Sequence, residues 1–156
     1  INWLLKQIIE SFHSAPGKGL PLGNLTSQLL VNIYMNEFDQ FVKIDLKIKY
    51  YLRYADDFII ISHDENYLIA NLRYIECYLC EKLKLSLHPD KVFTKTLASG
   101  VDFLGWVHFS DHRVLRTVAK RRMFKRLAQN SNSQTKASYL GFVKHGNSNK
   151  LFKIIN

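Results

Sequence analysis

Apolar residues that recur every three or four positions predict helices along much of the chain. The first is INWLLKQIIESF, and the second starts near Asn24 or Thr26, both of which suit a helix N-cap. Between them lies SAPGKGLPLG, whose two prolines and three glycines predict a loop. The main predicted helices cover residues 1–12, about 25–44, about 64–84 and 118–128.

Runs rich in β-branched and aromatic residues predict strands between and after these helices. Residues 48–55 and 58–62 flank a pair of aspartates and predict an antiparallel hairpin. After the HPDK turn, strands are expected at residues 92–97, at 101–109 and near Val114. The polar stretch SNSQTK is expected to link to short C-terminal helices. This order predicts an α+β fold, an antiparallel sheet backed by helices, with a helical appendage from about Val118.

A chain of 156 residues with 47% hydrophobic content predicts one domain with one core, or a domain with a small appendage. Because it begins with Ile1 inside a predicted helix, we expect further sequence upstream. No apolar run reaches the roughly 18 residues of a membrane span and no secretory signal opens the chain, so a cytoplasmic protein without membrane contact is expected. Cys77 and Cys80 exclude a disulfide framework by their number and are expected to be reduced, half-buried thiols.

Positive charge dominates the chain, with 22 lysines and arginines against 13 acidic residues and a formal net charge of +9. This balance favours a polyanionic partner, above all nucleic acid. Seven cations fall within fourteen residues that contain no acid, so phosphate contact is favoured over a merely solvated face. The seven are Arg113, Arg116, Lys120, Arg121, Arg122, Lys125 and Arg126.

A second, looser basic group lies near the predicted hairpin. An exposed helix end and strand face explain it as well as nucleic-acid contact does. The group comprises Lys43, Lys47, Lys49 and Arg53. Among the nearby aromatic residues, Tyr50 and Tyr51 are expected to pack in the core or against the sheet, whereas Tyr54, next to the aspartates, is a candidate site residue.

Asp56 and Asp57 place two like charges at the join of the predicted hairpin. Two carboxylates about 5 Å apart repel by on the order of 3 kcal/mol at an effective dielectric near 20, so solvent, a basic group or a metal must compensate. An ordinary turn is the plainer interpretation, yet hairpin turns usually contain Gly or Asn for a positive φ, and this one has neither. Oxygen ligands of this kind suit Mg²⁺ shared with substrate phosphates. Metal-assisted phosphoryl transfer on nucleic acid is therefore a candidate chemistry.

The residues around the aspartates resemble the reverse transcriptase family. Residues 54–57, YADD, match its catalytic box between apolar runs. The block KGLPLGNLTSQLLVNIYMNEFDQFV resembles the one before the box, LSLHPDKV the one after it, and SGVDFLGWVHF the primer-grip hairpin. The resemblance runs from about Lys18 to Leu127, and SYLGFVKHG is similar to the thumb of the bacterial members.

The resemblance implies an RNA-directed DNA polymerase that adds a deoxynucleotide to a primer 3′-hydroxyl with two Mg²⁺ ions. Its palm would cover residues 1–116 and its thumb residues 117–156. The implied partners are an RNA template, a DNA primer and deoxynucleoside triphosphates, and a basic accessory protein stays open. Asp56 would ligate both ions, Asp57 would assist, and Lys91 would act as general acid for the leaving pyrophosphate.

Further site residues are implied by the same resemblance. The pocket for the incoming nucleotide and its template base would be lined by Leu22, Gly23, Asn24, Ser27, Gln28, Tyr54 and Ala55. The primer terminus would be held by Phe103, Leu104, Gly105 and Trp106. The nucleic-acid backbone would be bound by Arg116, Lys120, Arg121, Arg122, Lys125 and Arg126.

The chain departs from the family pattern in two ways. Most members carry Gln and Pro where this chain has Leu22 and Gln28, and in this it is similar to the reverse transcriptases of diversity-generating retroelements, whose copying is error-prone at template adenines. Leu22 lacks the donor and acceptor that could check base-pair geometry, so lower fidelity is expected. The family's first metal-binding aspartate is missing from the sequence, so we expect an inactive fragment of a longer enzyme. A group II intron or retron reverse transcriptase and a non-catalytic nucleic-acid-binding remnant stay as alternatives.

Overall fold

The computed structural model describes residues 2–11, 19, 25–130 and 132–155, which form α-helices and small antiparallel sheets. The helices are α1 (Asn2–Glu10), α2 (Leu25–Gln40), α3 (Glu65–Glu81), α4 (Thr117–Gln129), α5 (Ser133–Val143) and α6 (Asn149–Ile155). The strands are β1 (Tyr50–Tyr54), β2 (Asp57–Ile61), β3 (Val101–Phe103), β4 (Trp106–His108) and β5 (Arg113–Leu115). A π-helical segment, Phe41–Asp45, extends α2. The predicted α+β class and helices are confirmed.

The chain divides into two compact units, before and after the peptide bond between Val92 and Phe93, and each has its own core. We call them the N-terminal unit and the C-terminal unit. The prediction of a single core was wrong, because Trp106 and Leu115 of the second sheet pack with residues of α4, α5 and α6. The proposed boundary between palm and thumb at residue 116 was drawn from function, and it stays a prediction.

The core of the N-terminal unit forms where one face of α2 meets one face of α3 and the β1–β2 hairpin. Its buried members are Met35, Phe38, Val42, Ile48, Ile75, Leu79 and Leu83. Phe38 is fully buried, and its ring lies edge-on to that of Phe58 with 5.1 Å between centroids. Burial of each such side chain contributes about 1.5–3 kcal/mol, so this helical face anchors the hairpin.

The β1–β2 hairpin confirms the antiparallel pairing that the sequence predicts; β1 is shorter than expected, whereas β2 has the expected length and begins one residue earlier. Tyr54 pairs with Asp57, so the turn consists of Ala55 and Asp56 alone. The expectation that both aspartates join the strands was therefore wrong for Asp57, which is the first residue of β2. Strand alternation turns Tyr51, Phe58 and Ile60 towards the core and leaves the opposite face exposed except at the half-buried Ile59.

The three-stranded sheet of the C-terminal unit has the order β3-β4-β5, all antiparallel. Residues 101–109, predicted as one β segment from composition and as a hairpin from the resemblance, form a hairpin in which Leu104 and Gly105 make a two-residue turn with φ angles of 53° and 81°. Positive φ at both positions, with glycine second, is typical of the tightest hairpin turns. The strand expected near Val114 is confirmed as β5.

Two connecting segments differ from their predictions. Residues 92–96 form no strand, and Val92 and Phe93 are 39% and 51% exposed, since strand propensity has no effect without a partner strand to pair with. The stretch SNSQTK is only partly a linker, because α5 already begins at Ser133. The Asn132 side chain caps this helix by accepting a hydrogen bond from the Thr135 amide at 2.7 Å.

Helix α1 confirms the predicted N-terminal helix, but none of its residues is buried. Trp3 and Leu4 are 72% and 55% exposed, so this helix contributes nothing to the described core. Within the described residues, every helix is too short or too polar to cross a bilayer.

Candidate active site and nucleic-acid-binding surface

Two exposed carboxylates lie at the tip of the β1–β2 hairpin. Asp56 occupies the turn and Asp57 opens β2, and neither side chain has a hydrogen bond or ion pair to another described residue. Ala55, the first turn residue, has a φ of 53°, in the left-handed region that side chains other than Gly, Asn and Asp seldom adopt. Among the described residues, the repulsion between the two carboxylates is therefore reduced by their exposure to solvent.

Arg53 connects this turn to helix α2. Its Nε donates to Asp39 Oδ1 at 2.7 Å and its Nη2 to Oδ2 at 2.5 Å, which makes a bidentate ion pair. Its Nη1 donates to the Ala55 carbonyl at 2.7 Å and to the Asn32 side-chain oxygen at 3.2 Å. Only 9% of the Arg53 side chain is exposed. One guanidinium therefore joins a helix to the peptide that precedes Asp56.

The ion pair also shifts the pKa values of its members. The hydrogen bond from Arg53 holds the pKa of Asp39 below its usual value, against the opposing effect of partial burial. The same bond raises the pKa of Arg53. Burial, followed by a 2.6 Å hydrogen bond from its hydroxyl to Asp39 Oδ1, raises the pKa of Tyr51. At neutral pH the site therefore contains an arginine cation, an aspartate anion and a neutral tyrosine.

The role of Arg53 was missed at the sequence level, where it was grouped with three surface lysines. That grouping was wrong because Arg53 lies on the inner face of β1 beside Tyr51. Strand alternation could have placed Arg53 on the inner face, but its partner Asp39 lies fourteen residues away along the chain, and no local pattern links the two. Lys43 is also engaged, since its Nζ donates to the carbonyls of Ile48 at 3.2 Å and Lys49 at 3.1 Å.

Two tyrosines of β1 and two cysteines of α3 were predicted to be wholly or partly buried. Tyr51 is half-buried against the core, as predicted. Tyr50 is 53% exposed, which corrects the prediction, because it lies on the outer face of β1. Cys77 and Cys80 are exposed rather than half-buried, since they fall outside the stripe of α3 that carries Ile75 and Leu79.

The donor set at the hairpin tip fits Mg²⁺ bound together with a phosphate ligand. No cluster of three or more His, Cys, Asp or Glu side chains able to hold a metal occurs among the described residues. Asp56 and Asp57 nevertheless offer exposed oxygen ligands. Mg²⁺ commonly binds one or two protein carboxylates and completes its coordination with water and substrate phosphates. These two residues can therefore serve as the protein's part of such a site.

The predicted nucleotide pocket is described only in part. Leu22, Gly23 and Asn24 lie outside the described residues. In the first turns of α2, Ser27 is buried and Gln28 is exposed. Gln28 lies one helical turn before Asn32, whose side chain accepts from Arg53, so Gln28 occupies the face of α2 directed towards the hairpin. Beyond the turn, the predicted pocket residue Tyr54 is 57% exposed on the outer face of β1.

Lys91 ends a short 3₁₀ segment, Pro89–Lys91. His88 caps this segment, because its Nδ1 accepts from the Asp90 amide at 3.3 Å. The Lys91 side chain is exposed and has no hydrogen bond or ion pair with any other described residue. The structure shows no contact between Lys91 and the aspartates, and its role as general acid stays a prediction.

The four implied primer-grip residues have unequal environments. Phe103 and Trp106 are core residues, 8% and 6% exposed, and the Trp106 ring packs 5.2 Å from that of Phe142. Leu104 is 46% exposed at the turn, next to Gly105. Any contact between this hairpin and a primer would therefore use the turn, while Phe103 and Trp106 support it from inside.

Some cations in the basic segment of the C-terminal unit donate hydrogen bonds to other residues, and others have no partner among the described residues. The Nε of Arg113 donates to the carbonyl of His145, and the Nε of Arg116 donates to Asp102. The acid that pairs with Arg116, Asp102, lies fourteen residues upstream and therefore outside the acid-free basic window. The remaining five are exposed and lack a partner within the described ranges, and we call them the α4 basic face: Lys120, Arg121, Arg122, Lys125 and Arg126.

Sequence comparison supplies an independent observation. The chain matches the family model described as reverse transcriptase (RNA-dependent DNA polymerase) over residues 2–143. The matched range includes the hairpin with Asp56 and Asp57, the second hairpin and all of α4. No protein in a search of the curated proteins matches the chain.

Proposed function

Because the chain belongs to the reverse transcriptase family, we propose that it forms palm and thumb parts of an error-prone RNA-directed DNA polymerase of the diversity-generating type. A reverse transcriptase domain implies binding of a template, a primer and deoxynucleoside triphosphates. In this proposal the palm covers residues 1–116 and the thumb residues 117–156. A basic accessory protein is a further proposed partner.

The observation that carries the proposal is the pair of exposed carboxylates at the tip of the β1–β2 hairpin, which have no partner among the described residues and follow a carbonyl held by Arg53. Asp56 and Asp57 would hold two Mg²⁺ ions together with the triphosphate and a third carboxylate, the family's first metal-binding aspartate, which this sequence does not contain. Bound there, the ions would supply neutralisation of the phosphate charge and activation of the primer 3′-hydroxyl. The rigid hairpin contributes by fixing where its carboxylates point before substrate arrives.

Other residues have roles that do not depend on the metal. The cations of the α4 basic face would bind the phosphate backbone of the template-primer duplex, which makes affinity salt-dependent. Gln28 and Tyr54 would line the nucleotide pocket, each with an exposed side chain on the element that carries it. Lys91 would donate a proton to the departing pyrophosphate.

Replacement of one metal ligand tests the activity. In the natural full-length protein, Asp56→Asn should reduce primer extension on an RNA template by roughly 10³-fold, since loss of metal-supplied charge stabilisation costs several kcal/mol. Binding of the template-primer duplex should be unchanged. Asp45→Asn, which removes another exposed carboxylate of the same unit, is the matched control and should leave extension intact. Wild-type protein that binds the duplex but extends no primer would favour a non-catalytic remnant instead.

The proposed retroelement type depends on Leu22. In the full-length enzyme, Leu22→Gln should lower misincorporation opposite template adenine, because a polar side chain could again reward correct base-pair geometry. Misincorporation opposite the other three bases is the internal control. An unchanged error rate at adenine would contradict the assignment while leaving polymerase activity untouched.

A further inference from the structure

The Arg53 guanidinium makes two contacts beyond its ion pair with Asp39. Two nitrogens satisfy both oxygens of Asp39 at 2.7 and 2.5 Å. The third, Nη1, turns away from that carboxylate and donates to the Ala55 carbonyl at 2.7 Å. Asn32 accepts from the same nitrogen at 3.2 Å. All three nitrogens of the guanidinium thus donate hydrogen bonds, and Nη1 donates to the turn itself.

The Ala55 carbonyl belongs to the peptide plane that leads into Asp56. A hydrogen bond to this oxygen restrains the orientation of that plane and therefore the direction of the next residue's side chain. The restraint is needed here, because Ala55 has a φ of 53° and alanine has no intrinsic preference for the left-handed region. Neither turn residue is a glycine that would favour the conformation by itself.

The anchor is rigid because it is held from several sides. Asp39 lies on α2 one residue after Phe38, which is fully buried. Its Oδ1 also accepts from the Tyr51 hydroxyl at 2.6 Å, so the carboxylate has little freedom to follow the turn. The hairpin tip is thus tied to the core of its own unit through one side chain.

We propose that Arg53 is a positioning residue. By holding the Ala55 carbonyl, it preorganises the carboxylates of Asp56 and Asp57 for a divalent cation. The inference rests on the proposed function, in which Asp56 and Asp57 bind that cation. Arg53 itself touches no reacting atom. Its effect is transmitted through one backbone carbonyl, as outer partners of metal ligands commonly act.

The decisive variant is Arg53→Lys in the natural full-length protein. Lysine keeps the charge opposite Asp39 but is a point charge that cannot reproduce the planar three-nitrogen fork. Without substrate, we expect affinity for Mn²⁺, followed by its electron paramagnetic resonance signal, to fall by about 10-fold. In metal-free protein, amide hydrogen exchange at Asp56 and Asp57 should become faster. In steady-state extension, kcat should fall and half-saturating Mg²⁺ should rise while the KM for the duplex stays unchanged.

Arg73→Lys is the matched control, since Arg73 is an exposed arginine of α3 in the same unit and has no partner among the described residues. It should equal wild type in every readout. If Arg53→Lys does not fold, Asn32→Leu removes one guanidinium contact without touching the ion pair and should lower Mn²⁺ affinity by about 3-fold. The inference is overturned if Arg53→Lys folds and has wild-type Mn²⁺ affinity and wild-type amide exchange. If Arg53→Lys does not fold, the inference is overturned by an Asn32→Leu protein with wild-type Mn²⁺ affinity and wild-type amide exchange.

Asp56→Asn separates this inference from the function on which it rests. If Asp56→Asn abolishes Mn²⁺ binding and extension while Arg53→Lys behaves as wild type, only the positioning role is wrong. If Asp56→Asn binds Mn²⁺ and extends primers normally, the proposed site is wrong. If Mn²⁺ affinity and primer extension fall in both Asp56→Asn and Arg53→Lys, and amide exchange is faster in Arg53→Lys but not in Arg73→Lys, the proposed site and the positioning role are both supported.

Discussion

The two units each contain a hairpin with a two-residue turn, and the two turns are stabilised by different means. Both begin with a residue other than glycine at a φ of 53°, Ala55 in one and Leu104 in the other. In the second turn glycine follows, at a φ of 81°. In the first turn Asp56 follows, and the side chain of Arg53 donates to the Ala55 carbonyl.

The two turns are therefore held in place by different kinds of contact. Gly105 provides the backbone freedom that a tight hairpin needs, and the buried residues on either side of that turn hold it in place. In the first turn the second position is Asp56, which does not have a positive φ, so glycine is not needed there. The left-handed conformation of Ala55 costs about 1–2 kcal/mol, and the hydrogen bond from Arg53 to the Ala55 carbonyl offsets part of that cost.

The largest effect should come from overpacking behind the second hairpin. A Cβ on Gly146 would lie 2.0 Å from Trp106 Cζ3, so Gly146→Ala must displace the buried indole. We expect the C-terminal unit to lose about 3 kcal/mol of unfolding free energy, measured by urea denaturation. Gly141→Ala, at a position with open space on α5, is the matched control and should stabilise by up to about 1 kcal/mol. Equal stability of the two variants would show that Trp106 does not depend on this close approach.

A smaller loss is expected when the anchor of the first hairpin is weakened. Asp39→Asn leaves the Arg53 side chain, only 9% exposed, without its charged partner and should lower the unfolding free energy of the N-terminal unit by about 2 kcal/mol at pH 7. The C-terminal unit should keep its stability, which a probe at Trp106 reports. A loss confined to the C-terminal unit would contradict the contacts seen here.

The same variant should change the response to acid. The folded-state pKa of Asp39 is lowered, so its contribution is fully present above the unfolded pKa of about 3.9. It is lost as the pH falls through the lower folded pKa, because the unfolded state then binds the proton more readily. Wild-type stability should therefore decline more steeply below about pH 4 than that of Asp39→Asn. Parallel declines in acid denaturation curves would rule out this linkage.

The smallest effect should come from the backbone of the second turn. A Cβ on Gly105 meets no atom within 4 Å, so Gly105→Ala carries only the cost of a positive φ. We expect a loss of about 1 kcal/mol from the C-terminal unit in the same urea experiment. No loss at all would mean that the turn relaxes to another conformation, and the contrast between the two hairpins would disappear.

The sequence predicted much of the local structure, because local structure follows local periodicity. The stripe through Phe38 and Val42 predicted α2, and the apolar runs around the aspartates predicted their hairpin. Residues 92–96 failed because strand propensity alone cannot supply a partner strand. Strand propensity alone predicted one β segment over residues 101–109, because the Leu104–Gly105 turn interrupts it with only two residues, and the hairpin there was indicated by the resemblance.

The sequence predicted the motif of the candidate site but not how its residues are arranged in space. Asp56 and Asp57 stand out in the sequence because two charges interrupt an apolar run. Arg53 did not, because its partner Asp39 lies fourteen residues away along the chain. The same limitation applied to Arg116, whose partner Asp102 is separated from it by a whole hairpin.

By itself, the sequence determined the α+β class, the order of helices and strands, the position of the paired carboxylates and, through the match over residues 2–143, the family. Only the tertiary structure decided that two cores exist, that Phe103 and Trp106 face inward, and that Arg53 holds the turn before Asp56. The reason is physical. Helix and strand patterns arise from neighbours within a few residues, whereas burial and ion pairing depend on which distant segments come into contact when the chain folds.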